Sequence, residues 1–222
     1  MKSILYVWSS AFRRRDSGHT SAAVLIACLC LLTTGCLTRP ALTVQTFSFT
    51  ASGTNAPAAN TANTAPQGPV LAIRRLTIAA PYDGCSFVYR TGESSYVRDP
   101  YAEFISAPAQ LLAPHIGQLL LQSGHFSAIV RPTGGVKPDQ LAEITVSQLY
   151  GDLRDRAHPQ AVLALRFTLL SATNGMTGKV LLQKAYTRSL PMDSASPVAL
   201  IHAWNQALSE ITIEISSDLP RG

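Results

Sequence analysis

Residues 161–170, Ala161-Val162-Leu163-Ala164-Leu165-Arg166-Phe167-Thr168-Leu169-Leu170, decide the fold class that this sequence predicts. Leucine or phenylalanine occupies every second position from 163 to 169, and the opposite face carries Arg166 and Thr168. A period of two is typical of a strand with one face against a core. Similar stretches at 141–149 and 179–190 are separated from this one by turn-rich connections, which predicts an antiparallel meander.

An amphipathic helix is predicted after the meander. Ser196 is suited to the N-cap and Pro197 to the first helical position. Large apolar residues then recur at spacings of three and four, which marks the buried face of a helix: Ile201, Trp204, Leu208, Ile211, Ile215 and Leu219.

A second helix is predicted earlier in the chain. Ser106 is its expected N-cap, Pro108 lies in its first turn, and Gly124 stands where a left-handed C-cap belongs. Pro114 predicts a kink or a late helix start, because an interior proline costs about 3 kcal/mol. Helices segregated from strands give the predicted fold class, α+β, as a two-layer sandwich of a mostly antiparallel sheet with two main helices packed on it.

Short strands are predicted before the meander, at 42–49, 70–79, 87–90, 95–98 and 126–130, with Asp99-Pro100 ending the fourth. Residues 50–69 carry no charge and little bulk, which favours a flexible segment, either a long loop inside the domain or a linker at its boundary. We therefore expect a signal peptide at 1–35, an N-terminal arm with one strand and a linker at 36–69, and the α+β domain at 70–222.

The N-terminus has the pattern of a bacterial lipoprotein signal. The basic cluster Arg13-Arg14-Arg15 is followed by an apolar run at 22–32, which is too short for the roughly 20 residues of a transmembrane helix. The lipobox that follows consists of Leu32, Thr33, Thr34 and Gly35, and it ends at Cys36. We expect cleavage before Cys36 and attachment of lipid, including palmitate, to that residue, since two or three acyl chains give a durable anchor.

Two alternatives to acylation of Cys36 stay open. Leu25-Ile26-Ala27-Cys28 also has a lipobox shape, but cleavage there leaves an apolar run of only about seven residues, the lower limit for a signal. An ordinary secretory signal is the other alternative, because Thr33 stands where leucine is usual.

Composition and motifs exclude several classes of function. Most of the basic excess leaves with the signal peptide, and no stretch combines clustered Lys and Arg with aromatic residues, so no nucleic-acid partner is expected. The spacing of histidines and cysteines fits no zinc site, and no nucleotide or nucleophile-elbow motif occurs. We therefore predict no metal, no cofactor and no enzymatic activity, and take Cys85 as a small residue near a turn rather than a nucleophile.

The segment from Leu71 to Leu121 contains a characteristic order of pieces: Leu71 through Ile78, Pro81, Phe87-Val88-Tyr89-Arg90, Tyr96, Asp99-Pro100-Tyr101, Phe104, Pro108, Leu111-Leu112 and Leu119-Leu120. In this order of pieces the segment resembles the PqiC-like ABC-type transport auxiliary lipoprotein family. The likeness continues through Ser123-Gly124-His125-Phe126 and, more weakly, to the last helix.

This resemblance implies a periplasmic lipoprotein that serves an MCE-type lipid transport system, whose other parts are a permease, an ATPase and an MCE-domain protein. Leu37 rather than aspartate follows Cys36, which favours anchoring at the outer membrane. The expected partners are the MCE-domain protein and the membrane, and homo-oligomerisation stays open.

Within the most family-like segment, Arg90, Tyr96, Arg98 and Phe104 are the candidate partner contacts. The alternative is that each arginine pairs with Glu93 or Asp99 and that the aromatic residues belong to the core. Two rival functions also stay open, namely a binding or assembly lipoprotein of another envelope export system and a periplasmic hydrolase.

Overall fold

The computed structural model describes residues 43–50, 68–173 and 176–220. The predicted signal, the lipobox at 32–36 and most of the predicted linker lie outside these residues. The described part of the chain has the strands β1 (Gln45–Phe47), β2 (Val70–Ile78), β3 (Ser86–Arg90), β4 (Tyr96–Phe104), β5 (Ala128–Val130), β6 (Gln140–Asp152), β7 (Gln160–Thr173) and β8 (Met176–Pro191). Its helices are α1 (Pro108–Gln122) and α2 (Pro197–Asp218), with a short 3-10 turn at Ala80–Tyr82.

One mixed sheet contains these eight strands of the described residues. β6, β7 and β8 form the predicted antiparallel meander, and their two ladders are the longest in the sheet. The other edge of β6 pairs in parallel with β2 along its first half and with β3 at its end. β5 adds to β2 in parallel, and β4 adds to β3 as an antiparallel hairpin partner. The α+β class with two helices packed on the sheet is thus confirmed.

The first strand of the chain belongs to this sheet. β1 pairs in parallel with the end of β4, with Gln45 opposite Ala102 and Phe47 opposite Phe104. Phe49 is buried, and two hydrogen bonds join Thr50 to Asn205 of α2. The Thr50 backbone N–H donates to the Asn205 Oδ1 (3.2 Å), and the Asn205 Nδ2 donates to the Thr50 Oγ1 (3.3 Å). The compact unit of the described residues therefore begins at Thr43, whereas the sequence predicted a domain beginning at 70.

Helix α2 begins as predicted. The Ser196 hydroxyl accepts a hydrogen bond from the Ala199 N–H, and Pro197 fills the first helical position. Trp204 is fully buried, and its indole N–H donates to the carbonyl of Val162 on β7 (3.2 Å). The ring lies in an aromatic cluster that holds the arm, the sheet and the helix together: Phe49, Phe87, Phe104 and Trp204.

Helix α1 differs from the prediction at its start. Ala107, not Ser106, is the N-cap, and no side chain caps the helix. The helix runs from Pro108 through Pro114 to Gln122, so of the predicted kink or late start, the late start does not occur. Pro114 is the seventh residue of the helix, and because it has no N–H it cannot donate a helical hydrogen bond to the carbonyl of Gln110. Gly124 follows the helix with φ +77°, the left-handed conformation that was predicted.

Strand β4 continues through Asp99-Pro100, where the sequence predicted its end. Val88 of β3 pairs with Arg98, but Ser86, two residues away on β3, pairs with Glu103, five residues further along β4. The extra residues of β4 form a bulge. Within this bulge the Asp99 carboxylate accepts hydrogen bonds from the backbone N–H groups of Tyr101 (2.8 Å) and Ala102 (3.1 Å). A proline is tolerated at a bulge in a strand whose other edge is largely unpaired.

Candidate functional site

Tyrosines from three separate elements meet beside the β3–β4 hairpin. We call Tyr82, Tyr96 and Tyr150 the tyrosine cluster. The ring of Tyr82 stacks on Tyr150 with centroids 5.8 Å apart, and Tyr96 meets Tyr150 edge to face at 5.7 Å. Tyr82 and Tyr150 are buried, whereas 46% of Tyr96 is exposed. Two buried rings therefore support one ring that faces solvent.

Two arginines border the tyrosine cluster. The Arg90 guanidinium lies 6.0 Å from the centre of the Tyr96 ring and donates to the carbonyls of Gly92 (3.2 Å) and Glu93 (2.7 Å). Arg90 also forms an ion pair with the exposed Glu93 carboxylate at 3.8 Å. The exposed Arg98 donates to the carbonyl of Pro81 (3.1 Å). Both arginines are thus held by backbone carbonyls in fixed positions around the rings.

Two phenols beside the hairpin, those of Tyr82 and Tyr89, have a raised pKa and are neutral at pH 7. Burial first, and then a hydrogen bond and charge interaction with Tyr96, raise the pKa of Tyr82 to about 12. Burial and the neighbouring Asp99 carboxylate also raise the pKa of Tyr89 on β3 above its usual range. Neutral phenols donate and accept hydrogen bonds without carrying charge, so the surface offers aromatic contact area with cationic guanidinium groups at its border.

Three of the four predicted contact residues lie together on this surface: Arg90, Tyr96 and Arg98. Phe104 does not, because only 3% of it is exposed and its ring packs on Phe87 at a centroid distance of 4.7 Å. Phe104 is therefore a core residue, the alternative that the sequence left open for it. The structure adds Tyr82 and Tyr150, which the sequence analysis missed because only the pairing of β3 with β6 brings them to this place.

The edge of β4 beside the cluster is free over residues 96–101 among the described elements. β1 pairs with β4 only from Ala102 to Phe104. Large apolar residues are exposed along the free part, namely Tyr96, Val97 and Tyr101. An open strand edge with exposed aromatic side chains is a common site of protein contact.

A second group of titratable residues, close to the end of β6, has the character of an ordinary charged loop. The His158 Nδ1 lies 2.8 Å from the Asp155 carboxylate, and Arg154 pairs with Asp152 at 2.8 Å. Hydrogen bonds from His158 and Arg154 lower the pKa of Asp155 and of Asp152, respectively. Asp155 and His158 are exposed, so the ion pair they form is screened by water and gives no support to a hydrolytic site.

Other candidate chemistry is equally limited within the described residues. They contain no group of three or more His, Cys, Asp or Glu side chains that could hold a metal ion. His115 is buried beside Phe49, and burial lowers its pKa, so it is neutral at pH 7. No helix in the described parts of the chain is long and apolar enough to cross a membrane.

Fold and site define a two-layer α+β domain whose distinctive surface suits binding to another macromolecule. A family model for the ABC-type transport auxiliary lipoprotein component matches residues 49–216. The chain belongs to this family of ABC-type transport auxiliary lipoproteins. The match begins at Phe49, the residue that carries the arm into the aromatic cluster, and confirms the family predicted from the sequence.

Solved structures with the same fold are distant in sequence. A Xanthomonas campestris protein of the DUF330 family is 20% identical with a TM-score of 0.58, covering 68% of this chain and 82% of its own. A second, uncharacterized protein is 14% identical with a TM-score of 0.61, covering 79% of this chain and 98% of its own. No curated protein is significantly similar in sequence. At these identities the likeness establishes the fold alone.

Proposed function

We propose that this chain is an envelope lipoprotein that acts by binding, as the auxiliary component of an MCE-type ABC lipid transport system between the inner and outer membranes. The family match over residues 49–216 is the observation that carries this proposal. The energy for transport would come from the ATPase of the system, and this chain would contribute a contact at the membrane that receives the lipid.

The acylated Cys36 is proposed as the anchor, and the outer membrane, facing the periplasm, as its location. Cys36 follows the lipobox Leu32-Thr33-Thr34-Gly35, and Leu37 replaces the aspartate that commonly retains lipoproteins at the inner membrane. Several acyl chains on one residue give an anchor that does not exchange readily with water.

The surface proposed to contact the MCE-domain protein is the tyrosine cluster with Arg90 and Arg98. Tyrosine and arginine dominate the energetics of protein interfaces because they combine large contact area with hydrogen bonds and fixed geometry. Here the Tyr96 ring is exposed but supported from below by Tyr150, and the Arg90 guanidinium lies over it. Such a rigid surface loses little conformational entropy when a partner binds.

Affinity capture of the lipidated protein from detergent-solubilised membranes tests this function. We expect the MCE-domain protein to be recovered with the unmodified chain, and recovery to fall at least tenfold with Tyr96→Ala combined with Arg98→Ala. Loss of an interface residue of this kind typically costs about 2 kcal/mol or more, which is roughly a 30-fold change in affinity.

The matched control is Ile213→Ser, which changes an exposed residue of α2, on the helix layer rather than beside the tyrosine cluster. Its recovery of the MCE-domain protein should equal that of the unmodified chain, and thermal unfolding should show that all variants are folded. Failure of the unmodified protein to recover any MCE-domain protein contradicts the transport function. Equal recovery with the double variant and the control contradicts the assigned surface.

A further inference from the structure

An exposed apolar patch lies where the anchored end of the chain enters the domain. Val44 and Tyr101 each stand one residue before the first pair of the β1–β4 ladder, Gln45 opposite Ala102. Neighbouring strands lie about 4.8 Å apart, so the two side chains are adjacent. Val44 is 43% exposed and Tyr101 is 49% exposed, and Pro100 beside them is exposed as well. We call Val44, Pro100 and Tyr101 the entry patch.

The length of chain before the patch fixes how far it can stand from the lipid. Cys36 and Thr43 differ by seven positions (43 − 36 = 7). An extended chain covers at most about 3.5 Å per residue, so this tether spans no more than about 25 Å. Residues 51–67, which resemble a spacer in composition, stand between β1 and β2 in the sequence, so their length does not enter this distance.

We propose that the entry patch rests on the surface of the bilayer that holds the lipid of Cys36, and that it thereby orients the domain on the membrane. This inference rests on the proposed acylation of Cys36. It goes beyond the transport function, because a lipid chain alone fixes the position of a protein but not its orientation.

The chemistry of the patch fits the interfacial region of a bilayer. A tyrosine places an apolar ring toward the acyl chains and its hydroxyl among the headgroups, which is why tyrosine is enriched there. The exposed Arg98 on the same strand carries a positive charge, which favours anionic headgroups. The nearby carboxylates of Asp99 and Glu103 are half-buried, and Asp99 accepts two backbone hydrogen bonds.

The edge of β4 also continues from the entry patch toward the tyrosine cluster. Tyr96 and Tyr101 stand at the two ends of the free segment, residues 96–101, and Val44 lies beside Tyr101. A domain resting on the entry patch would therefore hold the proposed partner surface close to the membrane that receives the lipid.

Fluorescence quenching in vesicles tests the orientation. The mature chain, beginning at Cys36 and carrying Cys85→Ser, is coupled through the Cys36 thiol to maleimide lipid. The vesicles contain phosphatidylethanolamine and phosphatidylglycerol, with doxyl-labelled phospholipid as the quencher. Tyr101→Trp reports on the patch, and Ile213→Trp, a residue of α2 that is 68% exposed, is the matched control. The native Trp204 is fully buried and contributes the same background to both.

We expect quenching of the tryptophan at 101 to be several-fold stronger than at 213. Equal quenching at both positions, or none at 101 on a coupled and folded protein, overturns the inference and leaves the patch free for a protein partner or a second copy. Because the chemical coupling replaces cellular acylation, this result is independent of whether Cys36 is acylated in the cell. It is equally independent of whether an MCE-domain protein is captured.

Discussion

Phe104 shows how a single side chain changes its assignment once the fold is known. From its place in the family-like segment it was a candidate contact, but its ring is enclosed by Phe49, Phe87 and Trp204. Tyr101, three residues earlier in the same strand, is exposed. The bulge at Asp99 lies between the surface-facing start of β4 and its core-facing end.

Phe104→Ala should therefore destabilise the domain rather than weaken a contact. Truncating a buried phenylalanine leaves a cavity and costs about 3–5 kcal/mol. Tyr101→Ala in the same strand should change stability by only about 0.5 kcal/mol, since it is a surface substitution. Urea unfolding followed by circular dichroism measures both, and similar midpoints for the two variants would contradict the core assignment.

Local signals in the sequence predicted what depends on neighbouring residues. Ser196 and Pro197 mark the start of α2, Gly124 marks the end of α1, and the alternation at 163–169 marks β7. The tyrosine cluster depends instead on contacts between Tyr82 and Tyr150, which are far apart in the chain and meet only through the sheet. Nothing in the residues around either tyrosine indicates that contact. The sequence therefore predicted Arg90, Tyr96 and Arg98 but not the two buried tyrosines that pack against Tyr96.

At the scale of elements, the edge strand β8 is joined to α2 by a row of ion pairs. Lys184 contacts the carboxylates of Glu214 (3.0 Å) and Asp218 (2.8 Å), and Arg188 contacts Glu210 (3.2 Å) and Glu214 (2.7 Å). The Tyr186 hydroxyl also donates to Asp218 (2.9 Å). The row holds the helix over the last strand of the meander, where the sheet has no further strand among the described residues.

This row should make the stability of the domain fall in acid. Hydrogen bonds from Lys184 first, with Arg188 and Tyr186 after it, lower the pKa of Glu214 and of Asp218 in the folded state. A carboxyl group with a lowered folded pKa stabilises the fold above its unfolded pKa, and this contribution is lost as the pH falls through the folded pKa. We expect the melting temperature to decline below about pH 4, near the ordinary pKa of carboxyl groups.

Glu214→Gln should flatten that decline while lowering the melting temperature at neutral pH. Asp193→Asn is the control, since Asp193 is exposed in the turn before α2 and takes part in no ion pair among the described residues. Melting temperatures across a pH series measure the effect. An unchanged acid slope in the Glu214 variant would show that the row does not stabilise the fold.

For the whole molecule, the arm connects the proposed lipid anchor at Cys36 to the domain. β1 pairs with β4 in the sheet, and Phe49 packs in the aromatic cluster. Thr50 is hydrogen-bonded to Asn205 of α2. If Cys36 carries the lipid, the tether is the short stretch from Cys36 to Thr43, whereas residues 51–67 follow β1 in the sequence and precede β2. Composition left open whether residues 50–69 are a loop inside the domain or a linker at its boundary, because a charge-free run of small residues resembles a linker at any place in the topology.

Insertions on the two sides of β1 distinguish these tethers. Ten Gly and Ser residues placed between Pro40 and Ala41 form a flexible segment with an r.m.s. end-to-end distance of about 17 Å, and should lower the quenching of Tyr101→Trp in vesicles. The same insertion between Asn60 and Thr61 should leave that quenching unchanged, because it lengthens only the connection from β1 to β2. Equal loss of quenching from both insertions would show that the arm undocks when the chain is anchored, and that the membrane holds the domain through the longer segment.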